Sequence, residues 1–339
     1  MAMSFSFIIF AFVNTQHSSF NFMKKHLLFI LAALLPLVAN AQTKVEIDGI
    51  WYNLNSGTAE VTVIQSFEYK GIVNIPNTIT HNGVTYQVTS IDDAAFNDCW
   101  DLTDVTIPNG VTNIGYAAFH DCRSLKSIII PEGVTCIKDQ TFQHCISLTS
   151  VVLPKSIKVI ETSAFSYCPL LATINIPEGV KGIEYETFTE CESLTAITLP
   201  EGLTYLDNWS FGDCKSLSTV VLPSTLETVN YYVFAYCEEL KDVYCYAETV
   251  PTTEQNAFEE SNTPNATLHV PASALAAYQA TAPWSSFGTI VALTDEETGI
   301  KNAEFTNQNS PFIYDLYGRR VEKAEKGIYI VNGQKVVIK

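Results

Sequence analysis

The stretch Ala118-Phe119-His120-Asp121-Cys122-Arg123-Ser124-Leu125-Lys126-Ser127-Ile128-Ile129-Ile130-Pro131-Glu132-Gly133-Val134-Thr135-Cys136-Ile137 decides the fold. Its Phe returns every 23 residues, at Phe96, Phe119, Phe142, Phe165, Phe188, Phe211 and Phe234. Cys follows three residues later each time, from Cys99 to Cys237, and Leu three residues after that, from Leu102 to Leu240. A branched pair and Pro complete the unit, as in Val105-x-Ile107-Pro108, Val151-x-Leu153-Pro154 and Val220-x-Leu222-Pro223. A fixed period of this length is the signature of a solenoid. One such unit cannot bury its apolar face alone, so only a stacked array is stable.

Within the unit, Leu-x-x-Val-x-Ile places branched residues two apart, which suits a short strand. The Pro that follows lacks an N–H donor and ends it. The later Val-x-x-Ile is a second apolar contact, either extended or a tight turn. The Ala-Phe-x-x-Cys piece is expected to form a short helical turn that buries Phe. Coils stacked one strand spacing apart, ~4.8 Å, bring equivalent residues into ladders. The expected fold is a β-rich solenoid of 23-residue coils with caps at both ends and a small C-terminal β segment.

The register of Phe, Cys, Leu and Pro resembles the BspA-like (Treponema pallidum-type) leucine-rich repeat family, from about Ile72 to Leu293. That resemblance implies a curved, non-catalytic surface protein, an adhesin or a binder of host or matrix proteins.

The flanks divide the 339 residues further. Met23-Lys24-Lys25, the apolar run Leu27 to Val38 and Ala39-Asn40-Ala41 read as a signal peptide, with Gln42 as the first mature residue. The apolar residues before Met23 are either an extra targeting element or the product of a start codon assigned too early. Residues 42–71 are β-like and form the expected N-terminal cap, with Asn55-Ser56-Gly57 as a turn. The array then runs over 72–250. A small hairpin is expected at His81-Asn82-Gly83-Val84. A C-terminal cap covers 251–294, with a short helix capped by Ser273 and with Trp284 and Phe287 over the last coil. Residues 295–311 are a polar linker. Residues 312–339 change pattern, and Asn332-Gly333 between two alternating runs signals a hairpin. Tyr314-Asp315-Leu316-x-Gly318-Arg319, Lys326-Gly327-Ile328-Tyr329-Ile330 and Gly333-x-Lys335-Val336-Val337-Ile338-Lys339 resemble the C-terminal sorting domain of type IX (Por) secretion cargo.

The net charge is −17. Two lysines in the leader and an excess of three basic residues after Ile300 leave residues 42–300 at −22. Such a surface repels nucleic acid. Outside the leader no apolar run reaches the length of a membrane helix. Nine Cys in an exported chain suggest disulfides. Seven of them share one repeat position, however, where each has two equivalent neighbours, so buried free thiols are expected. Cys136 and Cys245 fall off that position and look incidental.

Motifs for catalysis or cofactors are absent: there is no Gly-x-Ser-x-Gly, His-Glu-x-x-His or phosphate loop, and no enzyme is expected. Asp98 and Asp121 share a ladder position beside His144, which reads as a solvated edge rather than a metal site. The strand face is mostly Thr, Ser and Ala, with Ile129, Val152, Val221 and Tyr244 as one more apolar row. The segments before Phe carry more information: Glu184-Tyr185-Glu186, Asp207-Asn208-Trp209 and Asn230-Tyr231-Tyr232. Stacking is expected to gather Tyr185, Trp209, Tyr231 and Tyr232 on one side, ringed by Glu184, Glu186 and Asp207. Aromatic rings with polar tips suit a binding surface; the competing reading is padding of the convex face. The expected function is a monomeric, cell-surface module that binds a protein partner, with glycan recognition by the aromatic group as the alternative.

Overall fold

The computed structural model describes residues 43–55 and 57–294, together with the strands Ile313–Asp315, Arg320–Val321, Gly327–Val331 and Gln334–Ile338. The expected leader and linker lie outside the described residues. The chain is a β-solenoid whose 23-residue coils each contribute two strands and one run of turns.

Three antiparallel strands open it: β1 (Thr43–Ile47), β2 (Ile50–Asn55) and β3 (Glu60–Val63). The first coil contributes β4 (Gly71–Asn74), then a hairpin of β5 (Thr78–His81) and β6 (Val84–Ile91), in which His81 stands opposite Val84. Its turn residues Asn82 and Gly83 have φ of 50° and 77°, the left-handed pair that a two-residue hairpin loop demands. β3 continues parallel onto β6, so the opening strands extend one side of the solenoid beyond its first coil.

Leu-x-x-Val-x-Ile forms the expected strand in most coils, for example Ser127–Ile129, Ser150–Val152 and Thr219–Leu222, with the central Val or Ile buried; in the coil of Ile174 it is reduced to one bridge, Thr173 with Ser150. Equivalent residues pair in parallel, as Ser127 with Ser150 and Thr219 with Asp242. The undecided Val-x-x-Ile piece is both things in succession. Val134 N–H closes a turn onto the Pro131 carbonyl at 3.1 Å, and Ile137 then enters a two-residue strand, Cys136–Ile137, paired with Val159–Ile160.

The third side departs from the expected helical turn. Asp92 to Cys99 alternates its bonding. The N–H groups of Ala95, Asn97 and Cys99 close turns onto Asp92, Ala94 and Phe96 within the coil. Those of Ala94, Phe96 and Asp98 instead reach the carbonyls of Tyr116, Ala118 and His120 in the next coil, at 2.7, 2.7 and 3.0 Å. A helix would spend every N–H within its own segment; here half of them hold the array together. The alternation needs left-handed backbone two residues before and two after each Phe from Phe96 to Phe234, as at Ala94 (φ 53°), Asp98 (60°), Trp209 (59°) and Asp213 (56°).

Inside this side the Phe rings form a continuous stack, with centroids 4.9 Å apart at Phe96–Phe119, 5.5 Å at Phe165–Phe188 and 5.4 Å at Phe234–Phe258. The extra residue before Phe258 is absorbed without breaking the stack. Tyr69 closes it at the start, 4.6 Å from Phe96, and Trp284 at the end, 5.2 Å from Phe258. Next to it run the cysteines, all free. From Cys122 on, each ladder thiol donates to the carbonyl of the Phe in the preceding coil, as Cys122 to Phe96 (3.2 Å), Cys145 to Phe119 (3.1 Å) and Cys168 to Phe142 (3.1 Å), while Cys99 donates to the Ser66 carbonyl. The ladder Cys is therefore a small buried donor as well as a filler. Burial pushes the Cys191 thiol up to about 12. Cys245 is not incidental: it takes the buried strand position of Leu222, and its sulfur lies 3.2 Å from the Tyr278 hydroxyl.

The C-terminal helix spans Leu275–Ala280, but Ala274 occupies its cap position with no side-chain hydrogen bond, so Ser273 does not cap it. The last strands form a four-stranded antiparallel sheet in which Val331 stands opposite Gln334; the expected turn at Asn332-Gly333 lies outside the described residues.

Candidate functional site

The seven residues around each Phe make a ridge along the solenoid. Side chains at the two left-handed positions project from it, because the Phe between them points inward. The ridge holds the four aromatic residues singled out from sequence in two separate rows. Trp209 and Tyr232 share one row and stack, with centroids 4.7 Å apart and planes 19° from parallel. Tyr185 and Tyr231 belong to the neighbouring row, two coils apart with Asn208 between them, and remain 40% and 49% exposed. The four are therefore one surface but not one cluster.

Tyr236 completes the stack, 6.2 Å from Trp209, and sequence reasoning missed it because it follows its Phe instead of preceding it. A usable signal was present. Trp209 is followed three residues later by Gly212, and Tyr232 by Ala235, where earlier coils carry Asn97, His120 and Gln143. The reason is steric: a Cβ on Gly212 would stand 2.5 Å from Trp209 Cε3, so the indole lies over the glycine.

The acids are hydrogen-bonded to neutral donors. Asp207 Oδ1 accepts the Asn208 N–H at 2.7 Å and Asn230 Nδ2 at 3.0 Å. Glu184 accepts the Tyr205 hydroxyl, and Glu186 accepts Ser163 Oγ at 3.4 Å. The bond to Glu186 raises the Tyr185 hydroxyl above its ordinary value, and the charge of Glu190 does the same to Tyr167. Burial, with the neighbouring Asp213, holds the Glu190 carboxyl up. None of these donors cancels a charge.

Early in the array an acid and an aromatic ring meet beside the ridge, on the residues that follow Phe. Arg123 pairs with Asp121 through two 2.9 Å bonds, and its guanidinium carbon lies 4.8 Å from the centroid of Trp100, whose Nε1–H donates to Asp121 at 3.1 Å. Burial pulls the Asp121 carboxyl up, but Arg123 outweighs it and holds it below the ordinary value. His144 stacks on Tyr167 at 4.5 Å; burial and His120 lower its pKa. Among the described residues no three His, Cys, Asp or Glu side chains gather to hold a metal ion.

The strand face carries the expected apolar row, with Ile129 67% exposed and Tyr244 stacked on His269 at 4.2 Å. A cleft of about 460 Å³ lies at the other end of the solenoid, between the β1–β2 turn and β4. Among the described residues no helix is long and apolar enough to cross a membrane.

Parallel coils built on Leu-x-x-Val-x-Ile, with an internal Phe stack, define a leucine-rich repeat solenoid. The model of the BspA type leucine rich repeat region matches residues 62–188, 89–214 and 158–276, and the chain belongs to that family. A leucine-rich repeat protein from Bacteroides ovatus is 24% identical, with a TM-score of 0.51, over 74% of this chain and 76% of that one. A leucine rich cell surface protein from Faecalibacterium prausnitzii is 19% identical over 76% of this chain and 97% of its own, with a TM-score of 0.47. The T. pallidum leucine rich repeat protein is 23% identical over 59% and 81%, with a TM-score of 0.41. Among curated proteins none matches the chain.

Proposed function

We propose that this chain is exported and displayed at the cell surface as a non-catalytic module that holds a protein partner on the late ridge. One observation carries the reading: Tyr185, Trp209, Tyr231, Tyr232 and Tyr236 lie on consecutive coils of one exposed side, partly buried among themselves. Rigid, half-exposed aromatic rings with polar tips are what protein interfaces concentrate. Glycan recognition by the same rings is the alternative that the test separates. Export is supported by the Lys24-Lys25 leader with Ala39-Asn40-Ala41, and display by the tail that resembles a type IX sorting segment.

The test sets the secreted chain against a panel of extracellular-matrix proteins and against a glycan array. Capture of a matrix protein, lost in Trp209→Ala/Tyr231→Ala, supports the reading; glycan capture with the same loss replaces it. For display, deletion of 312–339 is expected to leave the solenoid's Tm nearly unchanged and to hold the chain in the periplasm. Surface proteolysis of intact cells reports this, and equal display of the truncated form overturns the sorting role.

A further inference from the structure

The late ridge carries unbalanced charge next to aromatic rings. Segments 184–190, 207–213 and 230–236 read Glu-Tyr-Glu-Thr-Phe-Thr-Glu, Asp-Asn-Trp-Ser-Phe-Gly-Asp and Asn-Tyr-Tyr-Val-Phe-Ala-Tyr, with five acids and no Lys or Arg. The internal partners of Glu184, Glu186 and Asp207 are hydroxyl, amide and backbone donors, which leave each negative charge in place, whereas Glu190 and Asp213 feel the charge of Lys215. A carboxylate has about four acceptor sites, so each can still take a further donor.

The same molecule shows what completes such an arrangement. Around Trp100 and Asp121 the chain supplies its own guanidinium: Arg123 lies against the indole and pairs with the carboxylate. Arginine over an aromatic face, held by an adjacent acid, is a favourable cation–π arrangement. The late coils also set aromatic rings beside acids, at positions two to four residues before Phe instead of two to four after it, and no arginine stands anywhere between Arg123 and Arg319.

Resting on the protein-binding reading above, we propose that the partner presents an arginine-rich segment, whose guanidinium groups pair with Glu184, Glu186 and Asp207 and lie against Trp209, Tyr231 and Tyr232. Arginine is preferred over lysine because only its planar fork both stacks and pairs.

Fluorescein-labelled nona-arginine and nona-lysine, titrated into the secreted full chain at physiological salt, test this. Nona-arginine should bind more tightly than nona-lysine. Glu184→Gln/Glu186→Gln/Asp207→Asn should weaken it about tenfold or more, since charged contacts at an interface are worth that much. The control Glu132→Gln/Glu178→Gln/Glu201→Gln removes the same charge from the Pro-Glu-Gly turns and should change affinity less than about twofold. Trp209→Ala/Tyr232→Ala, which changes no charge, should cost about fivefold. Equal losses in the two acidic triples, or no binding of either peptide, overturn the proposal. If the aromatic variant abolishes capture of a matrix protein while the ridge triple leaves it intact, the protein-binding reading stands and the arginine-rich partner is wrong. If neither variant affects that capture, both fail.

Discussion

Phe211 and Trp209 stand two residues apart on one short run of turns, and they live under different rules. Phe211 is fully buried between Phe188 at 5.2 Å and Phe234 at 5.6 Å. Trp209 is half-exposed, and its main ring contact is Tyr232 in the next coil. The inner row repeats Phe from Phe96 to Phe258. The outer row, two residues earlier in each coil, reads Ala94, Ala117, Gln140, Ser163, Glu186, Trp209 and Tyr232. One backbone ladder carries both. Packing leaves the inner row a single solution, because any other side chain breaks contacts above and below at once. The outer row meets neighbours on fewer sides and is free to differ between coils.

The sharpest test of that contrast is Phe165→Ala. It removes a fully buried ring stacked on both faces, and should cost about 4 kcal/mol. Denaturant unfolding measures it; a loss under about 1 kcal/mol would mean the stack is not what holds the coils. Gly212→Ala comes second. Its Cβ would stand against the Trp209 ring, so the indole must move, at about 2 kcal/mol. Trp209 emission should shift to the red as the ring leaves its bed, and an unchanged spectrum would refute the contact. Tyr232→Ala is the ridge counterpart of the first variant and should cost only about 1 kcal/mol, the worth of one ring contact at a half-exposed site. A cost equal to that of Phe165→Ala would erase the distinction between the rows.

The smallest effect is a pH dependence. Burial and His120 depress the folded-state pKa of His144 below 6.5, so the unfolded chain binds the proton more readily. Stability should therefore fall as pH drops from about 6.5 toward that lower value. His144→Asn, which suits the left-handed backbone, should make this part of the pH profile shallower. Identical slopes in the two proteins would show that His144 titrates as it does in water.

What the sequence disclosed follows the same division. The Phe, Cys, Leu and Val rows are legible because burial imposes one residue type on every coil, and the period alone places them. The run around Phe was misread as a helical turn. Alternating left-handed backbone leaves no mark on hydrophobic period, and Ala, Asp and His at those positions look like ordinary helix or loop residues. The thiol donor role of the ladder Cys was equally invisible, since filling and donating select the same small side chain. On the ridge, the residues were identified but their grouping was not. Tyr185 and Trp209 differ by one row, a displacement visible only once the coil has a direction. Tyr236 needed the observation that an aromatic ring at one left-handed position demands Gly or Ala beside it.

The left-handed positions have one more consequence. Along the array they are filled by Ala, Asp, Gln, His, Ser, Tyr, Glu and Trp, with no Val, Ile, Thr or Pro, although Thr is common elsewhere in the chain. A β-branched side chain collides with its own backbone at positive φ, and the proline ring forbids it. Drift at these sites thus samples a restricted alphabet. That alphabet keeps every charge type, every amide and every aromatic ring. Duplicating a coil copies the scaffold and, with it, two fresh display positions whose contents can change without touching the Phe between them. The solenoid grows by adding blank places of fixed spacing, each open to chemistry and closed only to the residues least suited to it.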